Sequence, residues 1–160
     1  MNNAQLGGVT QKAQSVNQLL STKEDIKAAS RPVVSFSGTQ QNELLGAMPR
    51  PDLEALFEHL ELVPMPFGKE LFEYGSKLEY VYFPTTSIVS LLYVMEDGAT
   101  TEIAVVGHEG VVGVSLFMGE RAMCSAVVQS AGYGYRLKTQ FLRDAFMKGG
   151  ALPQLLMRYT

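Results

Sequence analysis

The pattern of apolar and polar positions changes character several times along the chain. Over residues 1–41 apolar positions are sparse: Val16, Leu19, Leu20 and Ile26 mark a weak helical stripe, and Phe36 is the only aromatic. Asn, Gln, Ser and Thr prevail there. Such a segment buries too little to offset its ordering entropy, which predicts a flexible polar tail with at most one marginal helix. Near Pro51 the pattern sharpens. Leu53, Leu56, Phe57 and Leu60 recur at i, i+3, i+4 and i+7, the single stripe of an amphipathic helix over about 51–60. Pro51 suits a first helical turn, and Asp52 and Glu54 place negative charge at its positive end.

From Leu62 to Leu137 the period shortens. β-branched and aromatic runs occupy 80–83, 88–94, 103–106, 126–129 and 133–137, with Gly68, Gly75, Gly98, Gly107, Gly110 and Gly132 between them. Asp97-Gly98 lies between two such runs and is the strongest hairpin signal in the chain. Short strands at close spacing, with no long helix among them, predict an antiparallel sandwich or barrel over 62–137. Two helices follow. Thr139 is placed to cap one whose Phe141, Leu142, Ala145 and Phe146 face inward, and Gly149-Gly150 stop it. The next begins near Ala151, with Leu152, Leu155, Leu156 and Tyr159 in one stripe. At under three turns it is marginal alone, so it must pack or meet a partner. The expected fold is mainly β with flanking helices, in one domain over 42–160 behind a tail of 1–41.

Composition narrows the classes. With 160 residues, 46% hydrophobic and 18% charged, the chain has enough apolar material for one core and is not wholly disordered. Lys12, Lys23, Lys27 and Arg31 against Glu24 and Asp25 leave residues 1–41 at +2, while nine basic and fourteen acidic residues leave 42–160 at −5. No global basic field draws this domain onto nucleic acid. The longest apolar runs, near 88–95 and 111–118, are far short of the roughly twenty residues a spanning helix needs. The first residues lack the basic-then-apolar order of a secretory signal, so the expected location is cytoplasmic.

Catalytic chemistry is scarce. Only two histidines, His59 and His108, are present, too few for the ligand set of a metal-dependent jelly-roll enzyme. His59 reads as surface decoration, and His108 as a turn residue whose neighbour Glu109 points to the opposite face in extended chain. Cys124 is the sole cysteine and has no base beside it in the sequence, which predicts an inert thiol. Gly107, Gly110 and Gly113 lack the βαβ setting of a dinucleotide site. No enzyme activity, metal or cofactor is expected.

An ordered set of motifs adds a resemblance. Phe72-Glu73-Tyr74-Gly75, Val81-Tyr82-Phe83-Pro84, Val94-Met95-Glu96-Asp97-Gly98, Val106-Gly107-His108-Glu109-Gly110-Val111-Val112-Gly113 and Ser125-Ala126-Val127-Val128-Gln129 follow one another before the two closing helices. Together they resemble the effector domain of Crp/Fnr-type bacterial transcription regulators over residues 42–160. The resemblance implies a double-stranded β-helix, or jelly roll, of the cyclic-nucleotide-binding type. In that family a long dimerisation helix and a helix-turn-helix follow. Residues 151–160 match the start of the dimerisation helix, with Leu152, Leu155, Leu156 and Tyr159 as its seam, and the helix-turn-helix is absent from this chain. The expected partners are a small-molecule effector, a second copy through that helix in a longer parent chain, DNA only through the missing motif, and no membrane.

The same resemblance places a phosphate-binding cassette at Gly113, Val114, Ser115, Arg121, Cys124, Ser125 and Ala126. A glycine there lets backbone N–H groups approach the phosphate, a glutamate accepts from the ribose, and an Arg-Ser-Ala run supplies charge and hydrogen bonds. Here Gly113 and Ser125-Ala126 match, but Val114 stands at the glutamate position and Cys124 at the arginine position. The loop over 115–123 differs in character, and Arg121 is its one candidate substitute. The expected function is a regulator's effector-sensing and dimerisation domain with a degenerate pocket. The alternatives are a working cyclic-nucleotide sensor that uses Arg121, and a cupin-type jelly-roll enzyme, which the histidine count disfavours.

Overall fold

The runs of period two pair into two antiparallel sheets in the computed structural model, which describes residues 34–117, 119 and 121–158. Strands β1 (Glu61–Met65), β2 (Glu70–Phe72), β3 (Tyr80–Pro84), β4 (Ile88–Val94), β5 (Thr100–Val106), β6 (Ser125–Ser130) and β7 (Gly132–Lys138) carry them. One sheet has the order β1-β7-β3 and the other β2-β6-β4-β5. Helices α1 (Phe36–Thr39), α2 (Glu43–Ala47) and α3 (Arg50–Phe57) precede the strands, and α4 (Thr139–Met147) and α5 (Leu152–Arg158) follow.

Alternation along β3 and β7 sorts the core into two layers. Val81, Phe83, Tyr135 and Leu137 face the helices and meet Leu44, Leu45, Leu53, Leu56, Leu142, Leu152 and Leu156. From the opposite face Tyr82 joins Met65, Val89, Val112, Ala126 and Val128 between the sheets. The Asp97-Gly98 turn closes β4 onto β5 as expected. The Met95 N–H donates to the Ala99 carbonyl at 2.8 Å, the Asp97 carboxylate accepts from the Ala99 N–H at 2.9 Å, and Gly98 has φ +83°.

Three expectations need correction. The compact unit begins at Val34, not at 42. Phe36 packs on the helix-side core with its ring 5.0 Å from that of Phe57, and Thr39 is fully buried. Residues 1–33, the rest of the expected tail, lie outside the described residues. Thr139 does not cap α4. Lys138 holds the N-cap position, and the Thr139 hydroxyl donates to the Leu78 carbonyl at 2.9 Å. β7 runs straight into α4, so that hydroxyl meets the chain entering β3 before it can reach back along the helix. Finally, Leu152 and Leu156 are buried in the chain's own core and cannot serve as an open dimer seam. Leu155 packs at the edge of that core, and Tyr159 lies outside the described residues.

Close approach singles out one glycine. A Cβ on Gly132 would sit 2.5 Å from the Thr86 carbonyl carbon and 2.6 Å from the Ser87 nitrogen, both main-chain atoms. Gly132→Ala is therefore expected to destabilise the domain by about 3 kcal/mol, as overpacking against backbone does. Chemical denaturation checks this; an unchanged midpoint would show that the β6–β7 turn yields freely.

Candidate effector cassette

The cassette starts after β5, where the chain passes alongside β3. Val112 makes an isolated bridge to Tyr82, with reciprocal hydrogen bonds of 2.9 and 2.8 Å. Gly113 then turns with φ +104°, and a Cβ there would lie 3.3 Å from the Val81 side chain. A non-glycine residue would be strained at that φ whatever its size. The next residues, Val114–Phe117, form a 3-10 turn. Val114 and Phe117 pack on the helix-side core, and the Phe117 ring lies 4.4 Å from that of Phe146. The first half of the cassette is thus held by apolar contacts to α4. Ser115 is half-buried, and its carbonyl accepts from the Gly119 N–H at 3.1 Å.

The second half is tied elsewhere. Arg121 bridges Lys77 through the backbone, and its guanidinium Nη1 donates to the Gly75 carbonyl at 2.7 Å. The Gly75 N–H donates to the Ala122 carbonyl and the Ala122 N–H to the Ser76 carbonyl, each at 2.8 Å. Arg121 is exposed, and its charge lies on the turn after β2. Cys124 is half-buried, and burial pushes its thiol above the ordinary value. Ser125 opens β6 with its hydroxyl accepting from the Tyr74 N–H at 2.9 Å. Ala126 is fully buried between the sheets.

Val112 and Ala126, the neighbours of Gly113 and Ser125, share one buried cluster, which brings the two ends of the cassette to the same inter-sheet layer. Met65, Tyr82, Val89 and Val128 fill that layer. Of the cassette positions named from the sequence, only Arg121 is charged, and it is directed at a main-chain carbonyl. The cassette as built offers main-chain donors and a neutral thiol, with no carboxylate at 114 and no guanidinium at 124.

The thiol's raised pKa has a sign that can be measured. A folded value above the ordinary one keeps Cys124 protonated through neutrality. Its contribution to stability is present below about 9 and is lost as pH rises through the folded value. Alkylation by iodoacetamide at pH 8 is expected to run several-fold slower in the native protein than in the same protein unfolded in urea. Equal rates would contradict the burial.

Both histidines are exposed as the sequence predicts, His108 in a turn, but each also has a neighbour that the sequence does not show. His59 stacks on Phe141, the rings parallel within 2° and 3.7 Å apart. His108 and Glu109 do not point apart, because 107–110 is a turn and not extended chain. Nε2 of His108 lies 3.2 Å from the Glu43 carboxylate, and Nδ1 lies 4.0 Å from Glu109. Among the described residues no group of three His, Cys, Asp or Glu side chains could hold a metal ion. No described helix is long and apolar enough to cross a membrane.

Two antiparallel sheets with helices on one side, and a glycine-led loop between β5 and β6, define a β-roll of the nucleotide-sensing type. The cyclic nucleotide-binding domain model matches residues 63–148, more than half of the chain. The chain belongs to the cyclic nucleotide-binding domain family. No curated protein matches it. Solved structures of similar fold include the N-terminal domain of a transcriptional regulator from Streptomyces coelicolor, at 21% identity and TM-score 0.57, covering 76% of this chain and 86% of that one. The Thermus thermophilus catabolite activator protein is similar at 17% identity and TM-score 0.59, with 72% of this chain aligned to 55% of that one. The regulatory subunit of a cAMP-independent protein kinase A from Trypanosoma brucei aligns at 15% identity and TM-score 0.65, over 76% of this chain and 44% of that one.

Proposed function

We propose that this domain is the effector-sensing and dimerisation module of a Crp/Fnr-type bacterial transcription regulator whose nucleotide cassette has lost its charged contacts. The observation that carries the reading is the pair Val114 and Cys124 at the two charged positions, with Arg121 held on the Gly75 carbonyl. The fold is retained around a cassette that cannot neutralise a cyclic phosphate. The regulator domains among the similar structures support the class.

In this reading the module is cytoplasmic and not an enzyme. Its effector is a small molecule other than a cyclic nucleotide, and DNA contact belongs to a helix-turn-helix outside residues 34–158. Because Leu152 and Leu156 are committed to the domain's own core, self-association must use residues beyond them, starting with the exposed Met157. Calorimetric titration with cyclic AMP and cyclic GMP tests the proposal. Silence up to about millimolar supports it, and micromolar binding overturns it.

A further inference from the structure

The edge strands β2 and β3, one from each sheet, flank a cleft of about 430 Å³ that no cassette residue lines. Its volume falls within the roughly 300–1,000 Å³ typical of small-molecule sites. Tyr82 and Arg136 sit directly opposite each other in the β3–β7 register and so share a face. Tyr82 is 8% exposed, yet among the described residues nothing hydrogen-bonds its hydroxyl. That hydroxyl is also not sealed from solvent, so its opening is into the cleft that Tyr82 lines. A phenol over nine-tenths buried, with an unused hydroxyl, is a vacant hydrogen-bonding position.

Arg136 is held ready beside it. Its Nε and Nη2 donate to one Glu61 oxygen at 3.1 and 2.6 Å, and its Cζ lies 4.5 Å over the Tyr80 ring. Glu61 does not use Nη1. Such a fixed, planar guanidinium suits a carboxylate better than a mobile lysine would. The rest of the lining sets the ligand's charge. Arg136 is already paired with Glu61, and Lys69 and Lys77 stand against Glu70, Glu73 and Glu79. A polyanion would meet three carboxylates, and a simple cation would meet Arg136. Only a molecule carrying both signs satisfies the floor and the rim together, and Phe72 and Tyr80 offer apolar surface alongside.

We propose that this cleft binds a small zwitterion of the α-amino-acid class. The carboxylate lies on the Arg136 guanidinium and the Tyr82 hydroxyl, the ammonium faces the rim glutamates, and an apolar side chain rests on Phe72 and Tyr80. The proposal is independent of the cassette, since the two sites share no residue.

Titration of the ¹⁵N-labelled full chain with L-leucine and L-phenylalanine, followed by heteronuclear NMR, tests it. Saturable shifts are expected at Phe72, Lys77 and Tyr82, with half-saturation below about 1 mM. Tyr82→Phe removes only the unpartnered hydroxyl, so the melting temperature should hold while affinity falls about 2- to 10-fold. Arg136→Lys keeps the charge but loses the fork, and affinity should fall about tenfold or more. Acetate and methylammonium, which carry one half of the ligand each, should not saturate below about 10 mM. The proposal is overturned by no saturable shift with either amino acid, by affinity unchanged in both variants, or by acetate binding as tightly as leucine.

Discussion

Cyclic AMP titrated into this protein at micromolar concentrations is expected to give no heat of binding. The cassette contacts that its family resemblance implies are a glutamate on the ribose and an arginine on the phosphate, and Val114 and Cys124 hold those positions. A hydrogen bond to a charged group contributes roughly 1.5–3 kcal/mol net, with an arginine–phosphate pair at the upper end. Losing the arginine also leaves a partly desolvated phosphate without a countercharge. The combined deficit is on the order of 4–6 kcal/mol, or about three to four decades of affinity. Arg121 does not offset it while Nη1 stays on the Gly75 carbonyl, laced in place by the Gly75–Ala122 and Ala122–Ser76 hydrogen bonds. The comparison to run is wild type against Val114→Glu with Cys124→Arg. A gain of affinity in the double variant alone identifies a cassette that has lost its ligand. Micromolar binding by the wild type refutes the prediction, and its loss in Arg121→Ala would then name the substitute.

Asn42→Ala is expected to lower the stability of the domain by about 3–5 kcal/mol, although Asn42 touches neither the cassette nor the cleft. Its side chain is fully buried and makes three hydrogen bonds. The amide oxygen caps α2 by accepting from the Leu45 N–H at 3.1 Å, while Nδ2 donates to the Pro84 carbonyl at 2.8 Å and the Gly110 carbonyl at 2.9 Å. One amide therefore joins the helical layer, the end of β3 and the turn after β5. Truncation removes the cap, worth about 1 kcal/mol, and strands two buried carbonyls, each costing roughly 1–3 kcal/mol before any relaxation. Against a total of about 5–15 kcal/mol for an ordinary domain, that is a large share. Thermal unfolding followed by circular dichroism should show a drop of about 10–20 °C. A drop under about 3 °C would mean that water replaces the amide, and the knot would be dispensable.

Where local chemistry decides, the sequence was sufficient. The stripe of Leu53, Leu56, Phe57 and Leu60 predicted α3, the β-branched runs predicted five of the seven strands, and Asp97-Gly98 predicted the β4–β5 turn. Gly149 and Gly150, at φ +78° and +86°, end α4 as their lack of a side chain allows. That Val114 and Cys124 are uncharged was equally legible, while their standing at charged positions is what the family resemblance implies. β1 was hidden by Pro64, which breaks the strand pattern but is tolerated because β1 is a sheet edge. α1 was placed in the tail because its polar residues look solvated one by one, and α2, though inside the expected domain, carried no stripe that announced it. Only the fold shows that Asn42 bonds to chain 42 and 68 residues away.

The same reason separates Arg121 from Arg136. Nothing in their neighbours along the chain says that one guanidinium lies on the Gly75 carbonyl while the other is held by Glu61, 75 residues distant, beside Tyr82, whose hydroxyl has no hydrogen-bond partner among the described residues. Periodicity reports which face of an element turns inward, because burial acts on each residue where it stands. Which groups then meet depends on strand order and register, and those are set by pairing between segments that share no local signal.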